Sequence, residues 1–323
     1  MKKTILYIIP LMLMALVMVS CSSDDIDSKS VITADSYEQN DFDKWLEENF
    51  RNPYNIDFKY RYEEIESDLN YYTVPAEYWQ AVKMAHLVKY LCIETYNEVA
   101  GIEFTRSQFP KMFFLIGVWE YRNNGSYILG TAEGGKKILL AGINFLDQVL
   151  DGSYSSSYDV AEGLNHYYIK TIHHEFTHIL NQTTDFPSSF TQVTPNSYVN
   201  DSQFDEPYNS AYLVRGFISA YAQTEDREDF AEMISMYVTH TEEWWEEQME
   251  AADDIWDQDP EQTQTGRKLI EQKLDIARAY MNDVWNIDID ELRDCILRRQ
   301  GNITSGKVDL TDLTVNGTNS IEE

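Results

Sequence analysis

Cysteines and basic residues are scarce in this sequence. It has 3 cysteines in 323 residues, and none lies in a C-x-x-C pair, so cysteine ligation of a metal is not expected. Cys92 and Cys295 lie in helix-like, partly apolar sequence, which favours two buried free thiols over a disulfide. Lysine and arginine number 25 against 55 aspartates and glutamates, for a net charge of −30. Such a charge repels nucleic-acid backbones, which excludes nucleic acid as a partner. It suits cationic substrates, although solubility explains it equally well.

The N-terminus has a charged start followed by an apolar run. Two lysines precede residues 5–19, a stretch too short and too poorly flanked for a membrane-spanning helix. The run ends in Val19-Ser20-Cys21, which resembles a bacterial lipobox, where the cysteine is lipidated after cleavage. We therefore predict that residues 1–21 are a lipoprotein signal peptide and that Cys21 anchors the protein to a membrane through lipid. The alternative is an ordinary secretory signal cut near Ser20.

The residues after the cysteine indicate location and domain organisation. Ser22-Ser23-Asp24-Asp25 resembles the surface-export signal of Bacteroidetes lipoproteins, so the predicted location is the outer membrane, facing the cell surface. Residues 22–40 are polar, acidic and without apolar periodicity, which predicts a flexible tether. Residues 302–323 are similarly sparse and are predicted to be a disordered tail. The body, residues 41–301, is expected to form one domain, and it contains no internal repeat.

The hydrophobic pattern of the body predicts an α+β fold. The N-terminal half is expected to contain helices over 43–50 and 75–99 and strands over 56–62, 111–121, 127–131 and 137–143. Asn124-Gly125 and Gly134-Gly135 mark turns, which gives a small twisted sheet with helices on one side. The C-terminal half is expected to contain helices over 159–182, 227–249, 265–281 and 290–299. An irregular segment, 183–217, is expected to border a cleft.

The predicted helix over 159–182 carries an H-E-x-x-H motif, His174 to His178. Residues four apart lie almost above one another on a helix, so the two outer histidines can direct their imidazoles at one metal ion. Glu175 lies about 100° around the helix from His174, where it can act on a water bound to that metal. This pattern is typical of a zinc metallopeptidase with one catalytic Zn²⁺. The remaining histidines are expected to be structural: His86, His166, His173 and His240.

A catalytic zinc site needs one more protein ligand. Such sites use three protein ligands and leave a position for water. Glu228 and Glu232 are four apart on the predicted helix over 227–249 and share one face, so either can bind the metal while the other supports it. Asp229 and Glu232 are both candidates for orienting a histidine. The alternative is that this run is a solvated acidic helix face.

These residues together resemble a known family. His173–His178, followed by Tyr221 and the sequence from Glu228 to Glu232, is similar to the gluzincin metallopeptidases with an E-x-F-A-E ligand helix, a set that includes the catalytic domain of anthrax lethal factor. A broader likeness, which extends through Trp45–Arg61, is to the putative zinc-binding metallopeptidase lipoproteins of gut Bacteroidetes. The resemblance implies that Glu228 is the third metal ligand and that Tyr221 stabilises the oxyanion. It also implies a zincin-like fold, with a small sheet and the active-site helix in an upper lobe and a mainly helical lower lobe.

The predicted function is zinc-dependent hydrolysis of peptide bonds. Glu175 would be the general base for water attacking a peptide or protein substrate. The alternative is a surface binding lipoprotein that captures a peptide or glycan on the same scaffold without hydrolysis. Glu175 favours the enzyme, because a site that only binds needs no general base.

Overall fold

The computed structural model describes most of the chain after the N-terminal segment. The described ranges are 38–67, 70–122, 125–199, 211–254 and 262–315. The described residues from 40 onward form one compact unit. The predicted signal peptide, its Cys21 and most of the predicted tether therefore lie outside the described residues. Within the described ranges, no helix is both long and apolar enough to cross a membrane.

The elements form a mixed α+β fold, which confirms the predicted class. The helices are α1 (residues 41–54), α2 (residues 78–100), α3 (Ile102–Gln108), α4 (Leu146–Leu150), α5 (residues 160–183), α6 (Asp226–Thr239), α7 (Glu242–Ala252), α8 (Gly266–Trp285) and α9 (Ile289–Thr304). The strands are β1 (Asp57–Lys59), β2 (Met112–Leu115), β3 (Glu120–Tyr121), β4 (Tyr127–Ile128), β5 (Gly130–Glu133) and β6 (Lys137–Leu140). Helices α1, α2 and α5 each contain a π-helical segment, at Glu47–Arg51, Val88–Ile93 and Asn165–Ile169.

The main sheet has four strands in the order β1-β2-β6-β5. β1 pairs parallel with β2, β2 pairs parallel with β6, and β5 pairs antiparallel with β6. The turn between β5 and β6 uses Gly134 and Gly135 with φ of 58° and 68°, values that glycine adopts without strain. β5 is therefore an edge strand, and it is the strand that packs beside α5.

The predicted strand over 111–121 is wrong as one continuous element. β2 ends at Leu115, and β3 belongs to a separate two-stranded sheet with β4. The break lies at Gly117, whose N–H donates to the carbonyl of Val74 at 2.8 Å. A Cβ at Gly117 would lie 2.4 Å from the carbonyl oxygen of Pro75, so this close approach requires glycine.

The β3–β4 pair forms the hairpin that the sequence predicts. Glu120 pairs with Ile128, and Tyr121 pairs with Tyr127. Asn124, in the predicted turn, lies outside the described residues. The predicted returning strand over 127–131 is divided between β4 and β5, because β5 pairs with β6 instead of β3.

The C-terminal half is helical, with different boundaries from those predicted. α6 ends at Thr239, before the predicted end at 249, because Thr241 begins a new helix and accepts a hydrogen bond from the Trp244 N–H at 3.2 Å. α9 runs to Thr304, past the predicted domain boundary at 301. Three apolar residues beyond it pack against the core: Val308, Leu310 and Leu313. Cys92 and Cys295 are both buried and free, as predicted.

Candidate metal centre

Helix α5 has one face in the core and another on a cleft. It begins after Asp159, whose carboxylate accepts a hydrogen bond from the Glu162 N–H at 2.9 Å. Ile172, Phe176 and Leu180 are at most 1% exposed and pack in the core. The cleft face carries the predicted site residues His174, Glu175 and His178. Helical periodicity therefore places the core-packing residues and the predicted site residues on different faces of α5.

The structure brings His174, His178 and Glu228 together. Nε2 of His174 lies 3.0 Å from Nε2 of His178 and 2.9 Å from Oε2 of Glu228, and the remaining separation, His178 to Glu228, is 3.3 Å. Among the described residues, they form the one cluster of this type with ligand atoms within 4.8 Å of one another. Ligand atoms about 2.05 Å from a tetrahedral zinc would lie roughly 3.3 Å apart, so this donor set fits zinc.

Electrostatics keep the Glu228 carboxylate ionised. Burial raises its pKa, but hydrogen bonds from His174 and His178 outweigh that effect and lower the pKa to about 2. For His174, burial lowers the pKa, while contacts with Glu228 and Glu232 outweigh it and raise the pKa to about 9. A metal ion binding here must therefore displace a proton from His174 at neutral pH.

Glu232 supports the site from behind His174. Its Oε1 lies 2.8 Å from Nδ1 of His174, the ring nitrogen on the far side from the donor cluster. The same oxygen accepts a hydrogen bond from Lys170 at 2.8 Å, and Oε2 accepts one from Ser219 at 2.7 Å. Glu232 is 1% exposed, both of its oxygens have partners, and it contacts His174 at the ring nitrogen that faces away from the donor cluster.

Asp229, the other candidate for orienting a histidine, has a different role. Its Oδ2 lies 2.6 Å from Nζ of Lys273 on α8 and accepts a hydrogen bond from the Tyr198 hydroxyl at 2.8 Å. Asp229 and Lys273 are both fully buried. Burial raises the pKa of Asp229 to about 6, although Lys273 opposes the rise. Lys273 also donates to the carbonyl of Gly216 at 2.8 Å. The Asp229–Lys273 ion pair therefore connects α6 to α8. The hydrogen bond to Gly216 connects α8 to the segment that precedes Tyr221.

Glu175 faces the edge strand β5. The backbone of Ala132 hydrogen-bonds its carboxylate, while burial is the main cause of a raised pKa. The strand and the helix approach each other closely at two glycines. A Cβ at Gly130 would lie 2.9 Å from Cγ2 of Thr171, and a Cβ at Gly135 would lie 2.5 Å from Oε1 of Gln182. β5 therefore runs in the same direction as α5, with Glu175 between the two close approaches.

Tyr221 lies beside the donor cluster on a short 3₁₀ turn, Tyr221–Gln223. Its ring centroid is 6.0 Å from that of His174, and its side chain is hydrogen-bonded to Glu228. Although Tyr221 is 44% exposed, desolvation within the cleft and the nearby carboxylates raise the pKa of its hydroxyl, which keeps its proton at neutral pH. Ser219 holds the turn by accepting a hydrogen bond from the Ala222 N–H at 3.0 Å while donating to Glu232.

The cleft around this cluster has a volume of about 820 Å³. Lys170 lines it and contacts Glu232, a role that the sequence analysis missed, although Lys170 lies four residues before His174 on the same helix face. The described parts of segment 183–217 do not line the cleft. Asp185 of this segment lies 3.9 Å from Arg227, which does line the cleft, so the segment reaches the cleft margin without lining it. Phe186 instead stacks on Phe230 of α6, with ring centroids 4.6 Å apart.

The remaining histidines have structural contacts. His173 is fully buried, its Nδ1 lies 3.1 Å from the Tyr96 hydroxyl, and burial lowers its pKa to about 3. His166 stacks on Tyr158 with centroids 4.7 Å apart and also lines the cleft. His86 and His240 pack against tryptophan rings in tilted arrangements, with ring centroids 4.3 and 4.1 Å apart. None of the four belongs to the donor cluster found among the described residues.

Comparison with known proteins identifies relatives of this chain. A family model described as "putative zinc-binding metallo-peptidase" matches residues 35–290. A crystal structure described as a putative zinc-binding metallo-peptidase from Bacteroides caccae is 37% identical in sequence, with a TM-score of 0.68. That match covers 88% of this chain and 100% of the other. No curated protein matches.

Proposed function

The chain belongs to the putative zinc-binding metallo-peptidase family, and on this premise we propose that it hydrolyses peptide bonds with one zinc ion held by His174, His178 and Glu228. The convergence of two imidazole nitrogens and one carboxylate oxygen within 3.3 Å carries the proposal. Three protein ligands leave a position for water or substrate, which is the arrangement of a catalytic zinc site of gluzincin type.

The residues around the donor cluster have the chemistry that hydrolysis requires. A zinc ion bound there would polarise the substrate carbonyl and lower the pKa of a water molecule. Glu175, half-buried on the cleft face beside β5, would accept the proton of the attacking water and pass it to the departing amine. The Tyr221 hydroxyl would donate a hydrogen bond to the oxyanion. Glu232 would hold the orientation of the His174 ring.

The position of the cluster within the cleft supports cleavage inside a chain. The cleft face of α5 extends from His166 to Gln182, roughly 24 Å at 1.5 Å per residue, with His174 halfway along it. An extended peptide of about seven residues would span that length. Substrate can therefore continue on both sides of the metal position, which supports an endopeptidase.

Removing the metal tests this proposal. We expect the purified protein to contain one zinc per chain and to cleave members of a broad peptide library. Treatment with a chelator should abolish cleavage, and one equivalent of zinc should restore it, because the donor cluster contains the hydrolytic centre. The measurements are elemental analysis and mass spectrometry of the products. A protein that holds zinc but cleaves nothing would instead favour the binding lipoprotein.

We also propose that the protein is an outer-membrane lipoprotein whose Cys21 carries the anchor. The support is the Val19-Ser20-Cys21 sequence after an apolar run and the acidic residues that follow. The mature chain should begin at Cys21, carry lipid and partition into detergent. Mass spectrometry of the N-terminus decides this, with Cys21→Ser as the control that should lose the lipid. A wild-type chain without lipid would contradict the anchor.

A further inference from the structure

The cleft has two ends that differ in charge. β5 and α5 run in the same direction, with Gly130 at Thr171 and Gly135 at Gln182. β4 precedes β5 and therefore lies toward the start of α5. Ring contacts support this placement, because Trp119 lies 5.6 Å from both Tyr127 of β4 and Tyr167 of α5. The end of the cleft near His166 is thus formed by the β3–β4 hairpin and the N-terminal part of α5.

Arg122 supplies a positive charge at that end. It follows β3 directly. Its backbone N–H donates to the backbone carbonyl of Ser126 at 2.7 Å, which closes the hairpin. Arg122 is exposed and lines the cleft. Its guanidinium has no hydrogen-bond or ion-pair partner within the described part of the chain. Because its backbone is held in the hairpin and its side chain meets no partner among the described residues, this arginine is available to a ligand.

Lys170 supplies a second cation between Arg122 and the donor cluster. Its Nζ donates to Oε1 of Glu232 at 2.8 Å, and its side chain is 19% exposed. An ammonium group has three donors, and the described residues satisfy only this one. Since Glu232 is buried and also contacts His174, the cleft-facing side of Lys170 remains available.

The acidic excess of the chain does not extend to this end. The chain has 25 basic and 55 acidic residues, whereas three cations and four carboxylates line the cleft. Glu175 and Glu228 belong to the reacting centre, and Glu232 is buried in its ion pairs. The remaining carboxylate, Glu225, lies just before α6, where Arg227 also lines the cleft. Arg227 has an acidic neighbour, Asp185, at 3.9 Å.

We propose that the space between Arg122 and Lys170 is a subsite for an acidic side chain of the peptide substrate, and that Arg122 is its specificity-determining residue. This proposal rests on the proposed peptidase function. A guanidinium binds a carboxylate through two parallel hydrogen bonds, which gives geometric selection as well as charge. Tyr127 and His166 line the same end and provide aromatic walls for the methylene groups of a glutamate.

The test measures cleavage of matched peptides that carry Glu or Gln at each position around the scissile bond. For the wild type, kcat/KM should favour Glu over Gln by about tenfold at one position or two adjacent ones on a single side of the bond. Arg122→Glu should reverse that ratio, and Arg122→Lys should keep most of it. The preference of the wild type should also weaken as salt is added, because Arg122 is exposed.

Arg227→Glu is the matched control at the other end of the cleft. It makes the same change of charge on another cleft-lining arginine. It should leave unchanged the preference for Glu at the substrate position where the wild type shows it. Zinc content and circular dichroism should equal those of the wild type in all three variants. A wild type that cleaves peptides without a Glu preference, or whose preference survives Arg122→Glu, overturns the subsite. A wild type that cleaves no peptide overturns the peptidase function itself, and the subsite with it.

Discussion

Glu175→Gln should retain zinc and the fold but lower the rate of peptide hydrolysis by roughly 10²–10⁴-fold or more. Glutamine preserves the shape of the side chain and removes its capacity to accept a proton. The metal donors are the imidazoles of His174 and His178 and the carboxylate of Glu228, so the substitution leaves all three in place. The measurements are kcat/KM on a peptide selected from a library, together with zinc content.

Tyr221→Phe is the matched comparison for that variant. Phenylalanine keeps the ring that lies 6.0 Å from His174 and deletes only the hydroxyl. The expected loss is about 10²-fold, because one oxyanion donor is removed while the metal remains. If Glu175→Gln cleaves as fast as the wild type, the assignment of the general base is wrong. If Tyr221→Phe is fully active, Tyr221 has no part in stabilising the oxyanion.

Glu228→Gln should lose most of the bound zinc. Its Oε2 lies within 3.3 Å of both donor nitrogens, and a neutral amide is a much poorer ligand for zinc. Glu232→Gln should keep the ligand set and weaken zinc binding by roughly 10–100-fold, the usual effect of removing a group that orients a ligand. Competition with a chromophoric chelator measures both affinities.

The two glutamate variants discriminate between the two possible ligands. Both residues lie on α6 four positions apart, so both variants test the same helix. Undiminished zinc in Glu228→Gln, with loss in Glu232→Gln, would make Glu232 the ligand. Circular dichroism should show native helix content in both variants. This control is needed because Glu232→Gln removes one partner of the largely buried Lys170–Glu232 ion pair.

The sequence alone predicted the helix face that carries the metal donors. The spacing of His174 and His178 requires a shared face in any α-helix, and Glu175 then follows on the adjoining side. The pattern also limited the third ligand to Glu228 or Glu232, and resemblance to known peptidases implied Glu228. The shared helix faces followed from spacing within single helices, which backbone hydrogen bonding determines locally, whereas the choice of Glu228 followed from the resemblance.

Tertiary structure decided what those faces contact. Asp229 and Glu232 are equally suitable in sequence, but one pairs with Lys273 of α8 and the other meets His174 of α5. The edge position of β5 and the charged end of the cleft at Arg122 likewise depend on how separate elements pack. Periodicity determines which side chains share a face, while the partner of that face is chosen by contacts between residues far apart in the chain. The ion pair between Lys170 and Glu232, which lie 62 positions apart in the sequence, is one such contact.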